Sequence, residues 1–95
     1  MNKYILKGKN PVECNDVMKW ARWFESANRI VKKTDINKQV VSTVFLGLNH
    51  NYDGGKPLLF ETMVFPECDI CERYTTWDEA EKGHNKIVEK IKNES

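Results

Sequence analysis

At 95 residues, 40% of them hydrophobic and with a formal net charge of +1, the chain is sized for one domain over residues 1–95 with a single apolar core. The near-neutral total conceals a split, because residues 1–40 hold nine Lys or Arg against four Asp or Glu while residues 41–95 hold six against ten. A dominant phosphate-binding surface would need a more basic chain, so nucleic acid is not an expected partner. No apolar run reaches the roughly 18 residues that span a bilayer, and the start Met1-Asn2-Lys3-Tyr4-Ile5-Leu6 lacks a signal peptide's apolar stretch. The expectation is a cytoplasmic protein without a membrane partner. Three cysteines, Cys14, Cys68 and Cys71, are an odd number, which suits a reducing compartment better than a disulfide framework.

In chain order, Tyr4-Ile5-Leu6 reads as a short strand and Gly8-Lys9-Asn10-Pro11 as a turn. Asn15 or Asp16 then caps a helix whose apolar positions Val17, Trp20, Ala21, Phe24 and Ala27 recur every three or four residues, with Trp23 at the edge of the stripe. Residues 29–35 are strand-like and lysine-rich, as strands at a sheet edge often are. Asp35-Ile36-Asn37-Lys38 turns the chain into a strand from Gln39 to about Leu48. A polar loop ending in Asp53-Gly54-Gly55 leads back into a strand from Pro57 to Phe65, giving a long hairpin. After the connection 66–71, residues 72–75 form one more strand. Thr76 with Glu79 spells a capping box for a final helix with Trp77, Ala80, Ile87, Val88 and Ile91 on one stripe. The order β-α-β-β-β-β-α predicts an α+β fold, an antiparallel four- to five-stranded sheet with two helices on one face.

The two central strands are apolar on both faces. Val40, Val44, Leu46 and Leu48 share one face with Ser42, while Val41 and Phe45 point the other way; Leu58, Phe60 and Val64 oppose Leu59, Met63 and Phe65. Two helices cover one face only, which leaves the other to chain ends and loops, a second copy or another partner. Phe45, Met63 and Phe65 are candidate contact residues on this argument; Trp23, with Trp20 on the first helix, reads first as a wide packing face and second as a ligand or partner contact. Glu61, in mid-strand beside Met63, requires a counter-charge or a ligand: a cross-strand ion pair is the ordinary reading and a functional acid the other. His84 falls inside the last helix's apolar stripe, where a packed, hydrogen-bonded histidine is the first reading and a catalytic or metal role the second.

The loop Asn49-His50-Asn51-Tyr52-Asp53 sets polar side chains on a rigid hairpin, where binding groups are often placed, although Asn, Asp and Gly are also ordinary turn residues. Cys68-Asp69-Ile70-Cys71 is a lone C-x-x-C without a second tight pair. Its neighbours Glu67, Asp69 and Glu72 disfavour thiolate, so no metal and no cofactor is expected. No serine stands in a nucleophile-elbow context and no spacing joins nucleophile, base and charge-stabilising group, so no catalytic residue is assigned.

The segments ARWFE (21–25), STVFLGLNHNY (42–52), PLLFETMVF (57–65) and ERYTTWDEAEKGH (72–84), spread over most of the chain, resemble a family of small proteins encoded by phages and bacterial genomes. The resemblance implies a phage-type accessory protein, carries over no catalytic residue, and leaves the C-x-x-C outside its pattern. The leading expectation is a non-enzymatic interaction protein, an accessory or inhibitor of a host or defence protein, working through the second sheet face and the His50 loop. One alternative is a small-ligand or nucleotide binder, in one form a dimer, with a pocket walled by Trp20, Trp23, Tyr52 and Glu61. The other is a hydrolase of the His-plus-carboxylate kind.

Overall fold

The computed structural model describes residues 2–51 and 53–94. Their elements are β1 (Tyr4–Lys7), β2 (Asn10–Glu13), α1 (Val17–Ser26), β3 (Ile30–Ile36), β4 (Gln39–Phe45), β5 (Phe60–Phe65), β6 (Cys71–Tyr74) and α2 (Trp77–Asn93). The fold is α+β with antiparallel strands, as the pattern predicts: β3-β4-β5-β6 form one sheet and β1-β2 a separate two-stranded one. The segment 8–11, expected as a single turn, divides. Gly8 supplies the turn with a φ of 64°, and Asn10 already pairs with Lys7. Pro11 is accommodated in β2 because a two-stranded ribbon leaves one side of each strand unpaired.

In β4, Val41, Thr43 and Phe45 are buried while Val40, Ser42 and Val44 are only partly covered, and in β5 Phe60, Thr62 and Val64 are buried while Glu61 and Met63 are partly covered and Phe65 is exposed. Period-two alternation thus separates an inner face from an outer one. The β3–β4 connection turns at Asn37 and Lys38, with φ of 50° and 63°, the pair of left-handed residues that a two-residue hairpin turn demands. β3 is an edge strand with Lys32 and Lys33 exposed and a register shift between Ile30 and Lys32, in line with the lysine-rich sequence.

Helix α2 lies on the inner face. Its N-cap Thr76 accepts from the Glu79 amide at 3.1 Å, and the Glu79 carboxylate accepts in return from the Thr76 amide at 3.1 Å. Acidic Asp78 and Glu79 open the helix and basic Lys90 and Lys92 close it, both favourable to its dipole. Ala80, His84, Ile87 and Ile91 form its buried stripe. The two isoleucines join Val41 and Val64 in one apolar cluster, and Ala80 joins Phe45, Leu59 and Phe60 in another. Each such isoleucine contributes about 1.5–3 kcal/mol by leaving water.

Helix α1, capped by Asp16 through the amides of Met18 and Lys19, buries no residue completely. Its attachment is specific instead: Trp20 Nε1 donates to the carbonyls of Tyr4 and Gly47, each at 3.1 Å, and Trp23 meets Phe45 edge-on at 5.7 Å between centroids. Gly47 has a φ of 77°, and a Cβ there would come to 2.8 Å from the Phe24 ring; both the backbone angle and the close approach require glycine. Both helices therefore serve the inner face. Among the described residues no helix is long and apolar enough to cross a membrane.

Candidate functional site

The outer face of the β3–β6 sheet is built from alternate residues of each strand. Val40 pairs with Phe65, Ser42 with Met63 and Val44 with Glu61. Beyond them Met63 pairs with Cys71 and Glu61 with Arg73 on one side, and Ile30 pairs with Val44 on the other. Among the described residues α2 and Trp23 pack on the opposite face, and Ile30 and Phe65 are 50% and 41% exposed. The result is an apolar band on β4 and β5 with the Glu61–Arg73 couple set into it, and with Lys33 and Asp35 of β3, opposite Ser42 and Val40, on the same face.

That couple is the cross-strand ion pair anticipated as the ordinary reading of Glu61. Its Oε2 accepts from Arg73 Nε at 3.0 Å, with the Arg73 and Glu61 side chains 40% and 14% exposed. The Cys71 thiol donates to the same oxygen at 3.4 Å. Partial burial, then the Glu61 carboxylate, pushes the Cys71 thiol up from its ordinary range, which keeps it protonated and unreactive near neutrality. Cys68 is free and exposed in a turn, with a φ of 54°. Among the described residues no group of His, Cys, Asp and Glu is gathered as a metal site.

The inner face hides a polar row. His84 Nδ1 hydrogen-bonds the Thr43 hydroxyl at 2.7 Å and its Nε2 the Thr34 hydroxyl at 2.8 Å. Thr43 in turn shares a hydrogen bond with Thr62, directly opposite on β5. The imidazole has no exposed surface, and burial, then the nearby Lys32 charge, pulls its pKa down. A neutral ring suits this site, since one nitrogen donates and the other accepts. Sealed in this way, His84 is a packed histidine with both nitrogens satisfied and no approach for a substrate.

The remaining sequence candidates separate. Phe45, proposed as a contact residue, is fully buried against Trp23 and Phe60 on the inner face, opposite to Met63, so it belongs to the core. Trp23 is half-buried beside it. In the loop, the Asn49 side chain accepts from the amides of Asn51 and Leu58. Asn51 accepts from the Asp53 amide and donates to the Lys56 carbonyl. These side-chain amides are occupied in shaping the loop. His50 is partly buried rather than freely accessible, with its backbone amide donating to the Leu58 carbonyl at 3.0 Å; Tyr52 lies outside the described residues. Trp20 and Trp23 stand on the helix side and Glu61 on the outer face, so these three described residues do not wall a common pocket. Sequence reasoning passed over Thr34, Thr43 and Thr62. The available signal was their parity, because Thr43 shares the Val41/Phe45 face and Thr62 the Phe60/Val64 face.

The geometry defines a class, an α+β scaffold with one face of its four-stranded sheet sealed by helices and the other left open. No family model, curated protein or solved structure matches the chain.

Proposed function

We propose that the chain is a non-catalytic interaction protein that docks an apolar patch of another protein on its outer sheet face. The observation that carries the reading is the band of Val40, Val44, Met63 and Phe65 in β4 and β5, flanked by Ile30, on the side of the sheet opposite α2 and Trp23. Apolar bands of this kind on small proteins mark contact sites. The Glu61–Arg73 couple gives the band a charged landmark, which favours partners presenting a complementary pair and disfavours purely apolar ones. The resemblance to small phage and bacterial proteins extends the proposal to an accessory or inhibitory role toward a host or defence protein in the cytoplasm.

The test is recovery of a protein partner by the wild-type chain and by Met63→Lys and Phe65→Lys, each checked for native circular dichroism. Loss of that partner with both folded variants is the expected result. A partner retained undiminished by both would place the contact elsewhere, and recovery of none by the wild type would remove the proposal's basis.

A further inference from the structure

The two edges of the main sheet are not alike. β3 is guarded by Lys32, Lys33 and a register irregularity, devices that discourage strand addition. β6, the four residues Cys71-Glu72-Arg73-Tyr74, is short and carries Glu72 and Arg73, but contains neither lysine nor proline and keeps an uninterrupted register with β5. Its outer backbone edge has no neighbouring strand in the sheet order.

Beside that edge runs a groove of about 840 Å³ between β6 and α2, floored in part by Ile87. Its walls carry opposite charge. Lys82, Lys86 and Lys90 follow one another every fourth residue along the helix, beyond the capping residue Glu79 at its start, while Asp69 and Glu72 stand on the strand side. Lys82 is paired with Asp78 at 3.0 Å; Lys86 and Lys90 have no ion-pair partner among the described residues. Glu72 is opposite Thr62, a buried inner-face residue, so its side chain leaves the strand on the helix side.

We propose that this groove receives the β6 strand of a second copy of the chain, added antiparallel and edge to edge about a two-fold axis perpendicular to the sheet. Such an axis keeps both α2 helices on the same side and sets the partner strand along the lysine wall. Each copy then presents Glu72 to the lysines of the other. The charge pattern is self-complementary, and the two-fold doubles every contact. This inference goes beyond the outer-face reading, since edge pairing leaves both outer faces uncovered.

The experiment is sedimentation equilibrium of the full chain with the charge reversals Lys86→Glu and Glu72→Lys, both at exposed positions. Wild type is expected to self-associate, and either variant alone to do so at least about tenfold more weakly. An equimolar mixture of the two variants should recover wild-type association. In the mixed pair the carboxylate introduced on one helix meets the ammonium introduced on the other copy's strand, while the second contact keeps its native residues. Lys33→Glu, at an exposed position on the opposite edge of the sheet, should leave the association unchanged. A wild-type chain that stays monomeric to about 1 mM, or one whose association is insensitive to both reversals, overturns the proposal. Monomeric wild type that binds an oligoglutamate peptide, with binding lost in Lys86→Glu, would overturn it in favour of an acidic segment from another protein.

Discussion

His84 carries a cost that depends on pH. In the unfolded chain its imidazole takes up a proton near pH 6.5, whereas burial holds the folded-state value lower. Between those two values the unfolded state binds more protons, so stability falls as pH drops below about 6.5, by at most about 1.4 kcal/mol per pH unit for one such group. Urea titrations from pH 7.5 to 5 should show this slope in the wild type and a shallower one in His84→Ala. At pH 7.5 that variant should be less stable by about 2–4 kcal/mol, through a cavity and the loss of the hydrogen bonds to Thr34 and Thr43, the latter keeping its bond to Thr62. Gly83 offers a second case. A Cβ there would fall under 3.0 Å from the Tyr74 ring, so Gly83→Ala should destabilise the fold despite a helix-propensity gain of about 1 kcal/mol. In a Tyr74→Ala background, thermal melts should show the sign reversed. The position of His84 in the α2 stripe is legible from spacing alone. Its three threonine companions are not, because a threonine among valines reads as an ordinary strand residue until a donor or acceptor is known to lie above it.

At the scale of elements, α2 is the most legible part of the chain because its signals are local: cap, acidic first turn and basic last turn all lie within its own residues. Thr76→Ala should remove the side-chain arm of the capping box and cost about 1 kcal/mol in a thermal or chemical melt. Helix α1 is legible as a helix but not in its mode of attachment, which depends on carbonyls of Tyr4 and Gly47 remote in sequence. Trp20→Phe, keeping an aromatic ring and losing the donor, should lower amide-exchange protection in β1 and α1 more than in β4 and β5. The strand expected to reach Leu48 ends at Phe45 because Gly47 adopts a left-handed angle. Leu46 and Leu48, on either side of that glycine, continue the apolar run and conceal the turn.

For the whole molecule, sequence alternation establishes that both sheet faces are apolar, but not which is left open. That outcome rests on α2 and Trp23 converging on the same side, a matter of chain path rather than residue type. The asymmetry predicts unlike responses to mutation. Phe45→Ala should cost about 3–5 kcal/mol as a core truncation, whereas Phe65→Lys, at a 41% exposed position, should stay within about 0.5 kcal/mol of wild type in denaturant titration. A further consequence concerns spectroscopy. Trp20 is bound to β1, Trp23 rests on Phe45 and Trp77 on Phe60, so all three indoles stand behind the sheet as viewed from its open face. Tryptophan emission will report the loosening of α1 or the melting of the core, yet a rigid partner settling on Met63 and Phe65 will leave it nearly unchanged. A fluorophore carried at Ser42, between Val40 and Val44 on the open face, would see that event from the front.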